Sequence, residues 1–373
     1  MSYQIQKDPL PRTTTRKIKR LELKRMIESG QLRETEAAAA EKARPEDQAL
    51  MESPVGQEVL RCLRETHHRE GSISPGMNLE LDLGFDSMER VELMANLEQA
   101  LNLQLPEYFG AEIFTVRDLI VGLEQEAISG AGGGAVARQS WSTLLAEESP
   151  EKEREYQVRF SRTPLTLLKY LGLRLVYIIC RIFLRLETRG PENLPKAGPY
   201  LICPNHLSYL DPFIVMCLLP YRAFKRTFFV GASEYYVYWY MKILARLANI
   251  VPVDPDSHLL RAMKVGAHGL RRGRILCIFP EGARSYEGDL KEFKKGAAIL
   301  AREIGVPIVP VGINGTYEVW PRDSMRIRPH KVRLAFGPPL LFPRSSDDPT
   351  YEADTAKLRH TVERLIRGVS TQE

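Results

Sequence analysis

Three short runs of consecutive apolar residues punctuate the second half of the chain: Tyr200-Leu201-Ile202-Cys203, Ile275-Leu276-Cys277-Ile278-Phe279 and Val306-Pro307-Ile308-Val309-Pro310-Val311. Runs of this length without polar alternation predict strands buried on both faces. Helical patterns separate them, and that alternation predicts an α/β fold with a mainly parallel central sheet over residues 155–345. A C-terminal helix is expected within 346–373.

Upstream the period is that of a helix. Val55, Val59, Leu60 and Leu63 share one face of a first helix, Val91, Leu93, Met94 and Leu97 of a second, and Val116, Leu119, Ile120 and Leu123 of a third. The pattern predicts an all-α four-helix bundle over residues 46–127. The run Ser129-Gly130-Ala131-Gly132-Gly133-Gly134-Ala135 then reads as flexible, within a tether assigned to 128–154.

A longer apolar segment, 165–186, is interrupted by Lys169, Arg174, Arg181 and Arg185. On a helical wheel the three arginines fall within about 40° of one another. Leu171, Leu175, Ile178, Ile179, Ile182 and Leu186 form an apolar side centred about 90° round from them. Such a helix can lie in a bilayer interface with its basic groups toward phosphates, or cap the domain with a solvated basic stripe. The run Tyr235-Tyr236-Val237-Tyr238-Trp239-Tyr240 suits either the headgroup zone or an acyl pocket. No stretch offers about 18 uninterrupted apolar residues, so a spanning helix is not expected.

Charge changes this picture more than composition does. The formal net charge is +5, but residues 46–127 hold 5 basic and 17 acidic side chains while residues 128–373 hold 36 and 24. An acidic module beside a basic one predicts docking of one on the other, or a basic face on anionic lipid. Without a recognised binding motif, nucleic acid is not an expected partner. The five cysteines, Cys62, Cys180, Cys203, Cys217 and Cys277, lack CxxC spacing and read as structural thiols of a reducing compartment; no metal is called for. The first thirty residues hold no hydrophobic signal core, so the expected location is cytoplasmic, peripheral on the inner face of the cell membrane.

Candidate chemistry begins just after the first strand run, at Asn205-His206-Leu207-Ser208-Tyr209-Leu210-Asp211. Residues five apart sit about 140° apart on a helix, so His206 and Asp211 can meet only across a turn. Their pairing would fix one imidazole tautomer and leave the other nitrogen as a base. Asp211 before Pro212 is equally a helix-capping pattern. After the second run comes Pro280-Glu281-Gly282-Ala283-Arg284-Ser285, a loop at a strand end, where polar groups converge in α/β folds. No Gly-x-Ser-x-Gly elbow is present, so direct attack with His206 as general base is expected rather than a covalent serine.

The NH-x4-D block, the FPEG-A-R-S block and the VPIVPV block, in this order, resemble the glycerolipid acyltransferases typified by lysophosphatidate acyltransferase; the resemblance covers about residues 160–345. It implies His206 and Asp211 as catalytic residues, with Glu281, Gly282 and Arg284 on the acceptor and Arg284 on its phosphate. It further implies transfer of a fatty acyl group from a thioester to a lysophospholipid such as 1-acylglycerol-3-phosphate. Two positions depart from the family pattern: Pro255 and Ser233 stand where cations are usual, and Arg261 or Lys264 could substitute. Another lipid alcohol is therefore an alternative acceptor. A non-catalytic scaffold delivering acyl chains is the rival from a different class.

Leu83-Gly84-Phe85-Asp86-Ser87-Met88 within the acidic bundle resembles an acyl carrier protein. The resemblance implies covalent 4′-phosphopantetheine on Ser87 and a phosphopantetheinyl transferase as partner; an ordinary helix cap at Ser87 is the bland alternative. Residues 8–21, with Pro11-Arg12-Thr13 and Lys17, resemble the closing motif of adenylate-forming acyl-activating enzymes. The basic tail 1–45 thus reads as a remnant of such an enzyme, and acyl activation falls to a separate one.

Overall fold

The structure is a computed structural model that describes residues 45–67, 72–103, 105, 109, 113–128, 141–146, 163–230, 249–251, 253, 259–321, 326–343 and 351–370. The motif at 8–21, the Gly-rich run, the aromatic run at 235–240, Ser233 and Pro255 lie outside the described residues. The chain divides into two compact units, Met1–Ser53 and Pro54–Glu373. Helix α1 (Pro45–Glu52) is the described part of the first.

In the second unit the carrier-like region contributes α2 (Pro54–His67), α3 (Ser87–Leu101) and α4 (Val116–Ile128), the three long helices among its described residues. Eight of the twelve predicted core positions, Val59, Leu63, Leu93, Leu97, Val116, Leu119, Ile120 and Leu123, are buried, while Val55, Leu60, Val91 and Met94 are half-buried. Helix α3 starts in a capping box. Asp86 accepts from the amides of Met88 and Glu89, and Glu89 reaches back to the Asp86 amide. It ends at Asn102, in the left-handed region at φ 53°.

Within the stretch expected as a tether, residues 141–146 are not free chain. They form α5 (Trp141–Ala146), whose Trp141, Leu144 and Leu145 are buried. Six residues are too few to show a helical period in sequence, so only burial distinguishes them.

Then follow α6 (Thr163–Phe183), β1 (Glu187–Arg189), β2 (Tyr200–Pro204), α7 (Asp211–Leu218), α8 (Tyr221–Phe224), β3 (Thr227–Val230), β4 (Ile250–Val251) and α9 (Leu259–Arg271). The chain closes with β5 (Ile275–Cys277), α10 (Gly296–Ile304), β6 (Ile308–Asn314), α11 (Thr316–Val319), β7 (Arg333–Phe336) and α12 (Tyr351–Ser370). The seven strands pair in the order β1-β7-β6-β2-β5-β3-β4. All pairs are parallel except β6–β7. The three predicted strands are therefore the three adjacent central ones, with Ile202 opposite both Cys277 and Val309. Alternate β2 residues enter opposite cores: Leu201 and Cys203 join Leu276 and Ile308 on the α9–α10 side. Tyr200 and Ile202 join Ile214, Val215 and Val309 on the α7 side.

Of the two orientations open in sequence, helix α6 takes the one with its apolar side outward. Leu186 is buried rather than outward. Arg174 faces the body, donating to the Cys217 carbonyl at 3.3 Å and lying over the Tyr177 ring. The outward surface is apolar: Leu168, Leu171, Leu175, Ile178, Ile179, Ile182 and Phe183 are exposed, with Arg181 and Arg185 at its end. The cause is local. Tyr170, Leu173 and Tyr177 pack into the α7-side core, which fixes the helix's rotation.

Candidate active site

Two loops meet at the C-terminal end of β2 and β5. The first leaves β2 through Asn205, whose side chain continues the ladder: Asn205 Oδ1 accepts the Ile313 amide at 2.7 Å and Nδ2 donates to the Ile313 carbonyl at 3.0 Å. This fixes the backbone just before His206.

Asp211 is the first residue of α7, and its N-cap is Leu210, which makes no side-chain capping bond. The fully buried Asp211 carboxylate instead folds back over the preceding turn. Its Oδ2 accepts from the amides of Leu207 and Ser208, both at 2.7 Å, and lies 2.9 Å from His206 Nδ1. Of the two readings open in sequence, the carboxylate thus serves the imidazole rather than the helix end. With Nδ1–H donating to Asp211, Nε2 carries the lone pair. The ring stacks on Phe279 at 3.9 Å between centroids, which closes one face to water.

The second loop grips the first. The His206 amide donates to Glu281 Oε1 at 2.7 Å, and the His206 carbonyl accepts the Ser285 amide at 2.8 Å. Glu281 Oε2 accepts the Lys291 amide at 3.1 Å. Burial pushes the Glu281 carboxyl up to about 7, against the pull of those two amides and of the Lys291 charge. Gly282 is required by the turn: its φ is +70°, and a β-carbon there would stand 2.9 Å from Lys294 Cε. Arg284 is buried, with its guanidinium carbon 3.4 Å from the centroid of the Tyr209 ring. That ring lies 5.4 Å from Trp320, whose carbonyl accepts from Ser208 Oγ at 2.8 Å.

The fold therefore brings His206, Asp211, Glu281, Gly282 and Arg284 into one network. Sequence reading passed over Asn205, Phe279, Tyr209 and Lys294. Their place next to or inside the two motif loops was the available signal.

Residues 185–314 match the family model described as Acyltransferase, and residues 57–120 match the one described as Phosphopantetheine attachment site. The chain carries an acyltransferase domain and a phosphopantetheine-attachment domain. The 1-acyl-sn-glycerol-3-phosphate acyltransferase of Limnanthes alba is 32% identical over 184 residues, 48% of this chain and 61% of its own length. The Cocos nucifera enzyme of that name is 32% identical over 169 residues, 44% of this chain and 50% of its own. The human alpha form is 29% identical over 214 residues, 55% and 71%. The chain thus spans 61% and 50% of the two plant relatives' lengths. The 1-acyl-sn-glycerophosphate acyltransferase structure from Thermotoga maritima aligns with 23% identity and a TM-score of 0.47, over 55% of this chain and 80% of that one.

Both motif loops of the acyltransferase domain fall within 185–314. Ser87 lies within the attachment domain as the first residue of α3. The cap at that helix end is supplied by Asp86, so the bland explanation for a serine here is already met by its neighbour. These features fit 4′-phosphopantetheine on Ser87. No described helix is long and apolar enough to cross a membrane.

Proposed function

We propose that the chain is an O-acyltransferase that passes a fatty acyl group from a phosphopantetheine thioester to the hydroxyl of a lysophospholipid, with 1-acylglycerol-3-phosphate as the first acceptor to test. The observation that carries the reading is the buried Asp211 carboxylate held 2.9 Å from His206 Nδ1, with both backbone groups of His206 tied to the second loop.

When attached, phosphopantetheine supplies an activated acyl thioester on a long arm. His206 Nε2 takes the proton of the acceptor hydroxyl while that oxygen attacks the thioester carbonyl. The carbon–sulfur bond breaks, the ester forms, and the proton passes from the imidazolium to the leaving thiolate. Asp211 holds the productive tautomer and offsets the imidazolium charge. Glu281 positions His206 through its amide, and Arg284 pairs with the acceptor phosphate. The curated relatives' printed names give the same acceptor class.

Further parts follow from the same reading. Ser87 is the attachment residue, modified by a phosphopantetheinyl transferase. The acyl group is supplied by a separate acyl-activating enzyme, in keeping with the Lys17 motif. The apolar face of α6 seats the protein on the inner face of the cell membrane. Pro255 and Ser233, in place of cations, favour a second reading in which the acceptor is a less anionic lysophospholipid.

The test uses full-length protein co-expressed with a phosphopantetheinyl transferase, acylated on its arm, and offered a panel of lysophospholipids. Mass spectrometry of the lipid products reads out both activity and headgroup. Wild type should gain one arm's mass and yield a diacyl product, and Ser87→Ala should gain nothing. A loaded protein that acylates none of the panel rejects the proposal in favour of a scaffold that only carries acyl chains.

A further inference from the structure

We propose that Lys295 docks the carrier domain onto the catalytic domain of the same chain, placing the start of α3 beside the catalytic loop so that the acyl group is delivered in cis. The inference rests on the acyl-transfer reading above and names how that site receives its donor.

Lys295 Nζ lies 3.1 Å from Asp86 Oδ2, 3.0 Å from Glu89 Oε1 and 2.8 Å from Glu352 Oε1. Asp86 and Glu89 are the two members of the capping box that opens α3. One cation therefore holds both acidic groups that flank Ser87 in sequence. The Lys295 side chain is only 17% exposed. Burial alone would favour losing its charge, but the bonds to Glu352 and Glu89 and the nearby Asp86 outweigh that.

An apolar stripe completes the contact. Met88, Val91 and Ala95 follow helical spacing on α3 and share one hydrophobic cluster with Ala262 and Met263 of α9 and Ala297 of α10. A β-carbon on Gly296 would stand 2.8 Å from Met88 Cε, so glycine there lets the two helix starts approach. Leu93 and Leu97, on the opposite side of α3, are buried outside this cluster. Helix α3 is thus apolar on two faces. One serves the carrier's core, and the second is available to a partner, here its own catalytic domain. The charge asymmetry of the chain acts in the same direction.

The geometry also joins this contact to the chemistry. Lys294, the preceding residue, donates its amide to the Pro280 carbonyl at 2.8 Å. Its side chain lies against Gly282, between Glu281 and Arg284 in the loop that grips His206. Consecutive lysines therefore touch the carrier helix start and the catalytic loop.

The test combines a footprint on unloaded protein with two activity arms. Met88 and Met263 are 5% and 3% exposed. Both should resist hydroxyl-radical oxidation in wild type, oxidise several-fold faster in Lys295→Glu, and regain protection in the double exchange Lys295→Glu/Glu89→Lys. Transfer from the Ser87-bound thioester should fall at least about tenfold in Lys295→Glu, as expected for losing a partly buried charge contact. Transfer from soluble acyl-coenzyme A, which needs no docking, should stay at the wild-type rate. Unchanged oxidation and unchanged transfer in cis would overturn the docking role. If wild type transfers from neither donor, the acyl-transfer reading fails, and the oxidation pattern still decides for or against docking.

Discussion

His206 and Glu281, 75 positions apart in the chain, are joined by a hydrogen bond of 2.7 Å from the backbone amide of one to the carboxylate of the other. This bond makes two motifs into one site. The imidazole is held at Nδ1 by Asp211 and at its backbone by the loop after β5. A change at either loop therefore moves the same nitrogen.

Glu281→Gln tests that bond through stability. The folded-state value of about 7 lies above the ordinary 4.5, so between them the folded protein binds the proton that the unfolded chain releases. This stabilisation is fully present below about pH 4.5 and is lost as pH rises through 7, a change of roughly 3 kcal/mol. Glutamine cannot titrate, and its single oxygen can serve only one of the two amides, which costs about 1–3 kcal/mol. Denaturant midpoints measured from pH 5 to 8 should slope downward in wild type and lie flatter in the variant. Parallel profiles would place the titration elsewhere.

Much of this arrangement was legible in the sequence. The strands came from apolar runs, because a strand covered on both faces has no polar side to alternate. The motif loops came from their residue types at strand ends. The edge strands were not legible: Glu187–Arg189 is three polar residues, and its pairing with Arg333–Phe336 is set by tertiary position. Nor was the rotation of α6. A wheel shows the faces but not which one the body claims, and here the body claims the side of Tyr170, Leu173 and Tyr177. The link from Glu281 to the His206 amide was invisible because backbone donors leave no trace in residue type.

The exposed face of α6 carries the next prediction. Leu175→Glu with Ile182→Glu alters side chains that are 59% and 66% exposed, so the fold should be unaffected. Binding to anionic vesicles in a flotation assay should drop at least about tenfold, since burying each such side chain is worth about 1.5–3 kcal/mol. Wild-type binding should also weaken with salt, because charges are screened beyond about 8 Å at physiological ionic strength. Vesicle binding equal to wild type in the double variant would assign contact to another surface.

Arg284→Ala should act on the acceptor. A hydrogen bond to a charged group is worth about 1.5–3 kcal/mol, so half-saturation should rise roughly ten- to a hundredfold with a smaller change in maximal rate. Arg284→Lys should restore only part of this, since lysine keeps the charge but loses the planar contact with Tyr209. An unchanged acceptor dependence in Arg284→Ala would mean that this side chain only braces the loop.

The central claim is that His206 is the general base of acyl transfer. Its most direct test is the single-turnover rate from the Ser87-bound thioester to a saturating lysophospholipid, compared between wild type and His206→Ala. The account predicts a fall of about 10²–10⁴-fold, with acceptor half-saturation and Ser87 loading unchanged, and a loss of the same kind in Asp211→Asn. Transfer by His206→Ala as fast as wild type would contradict it.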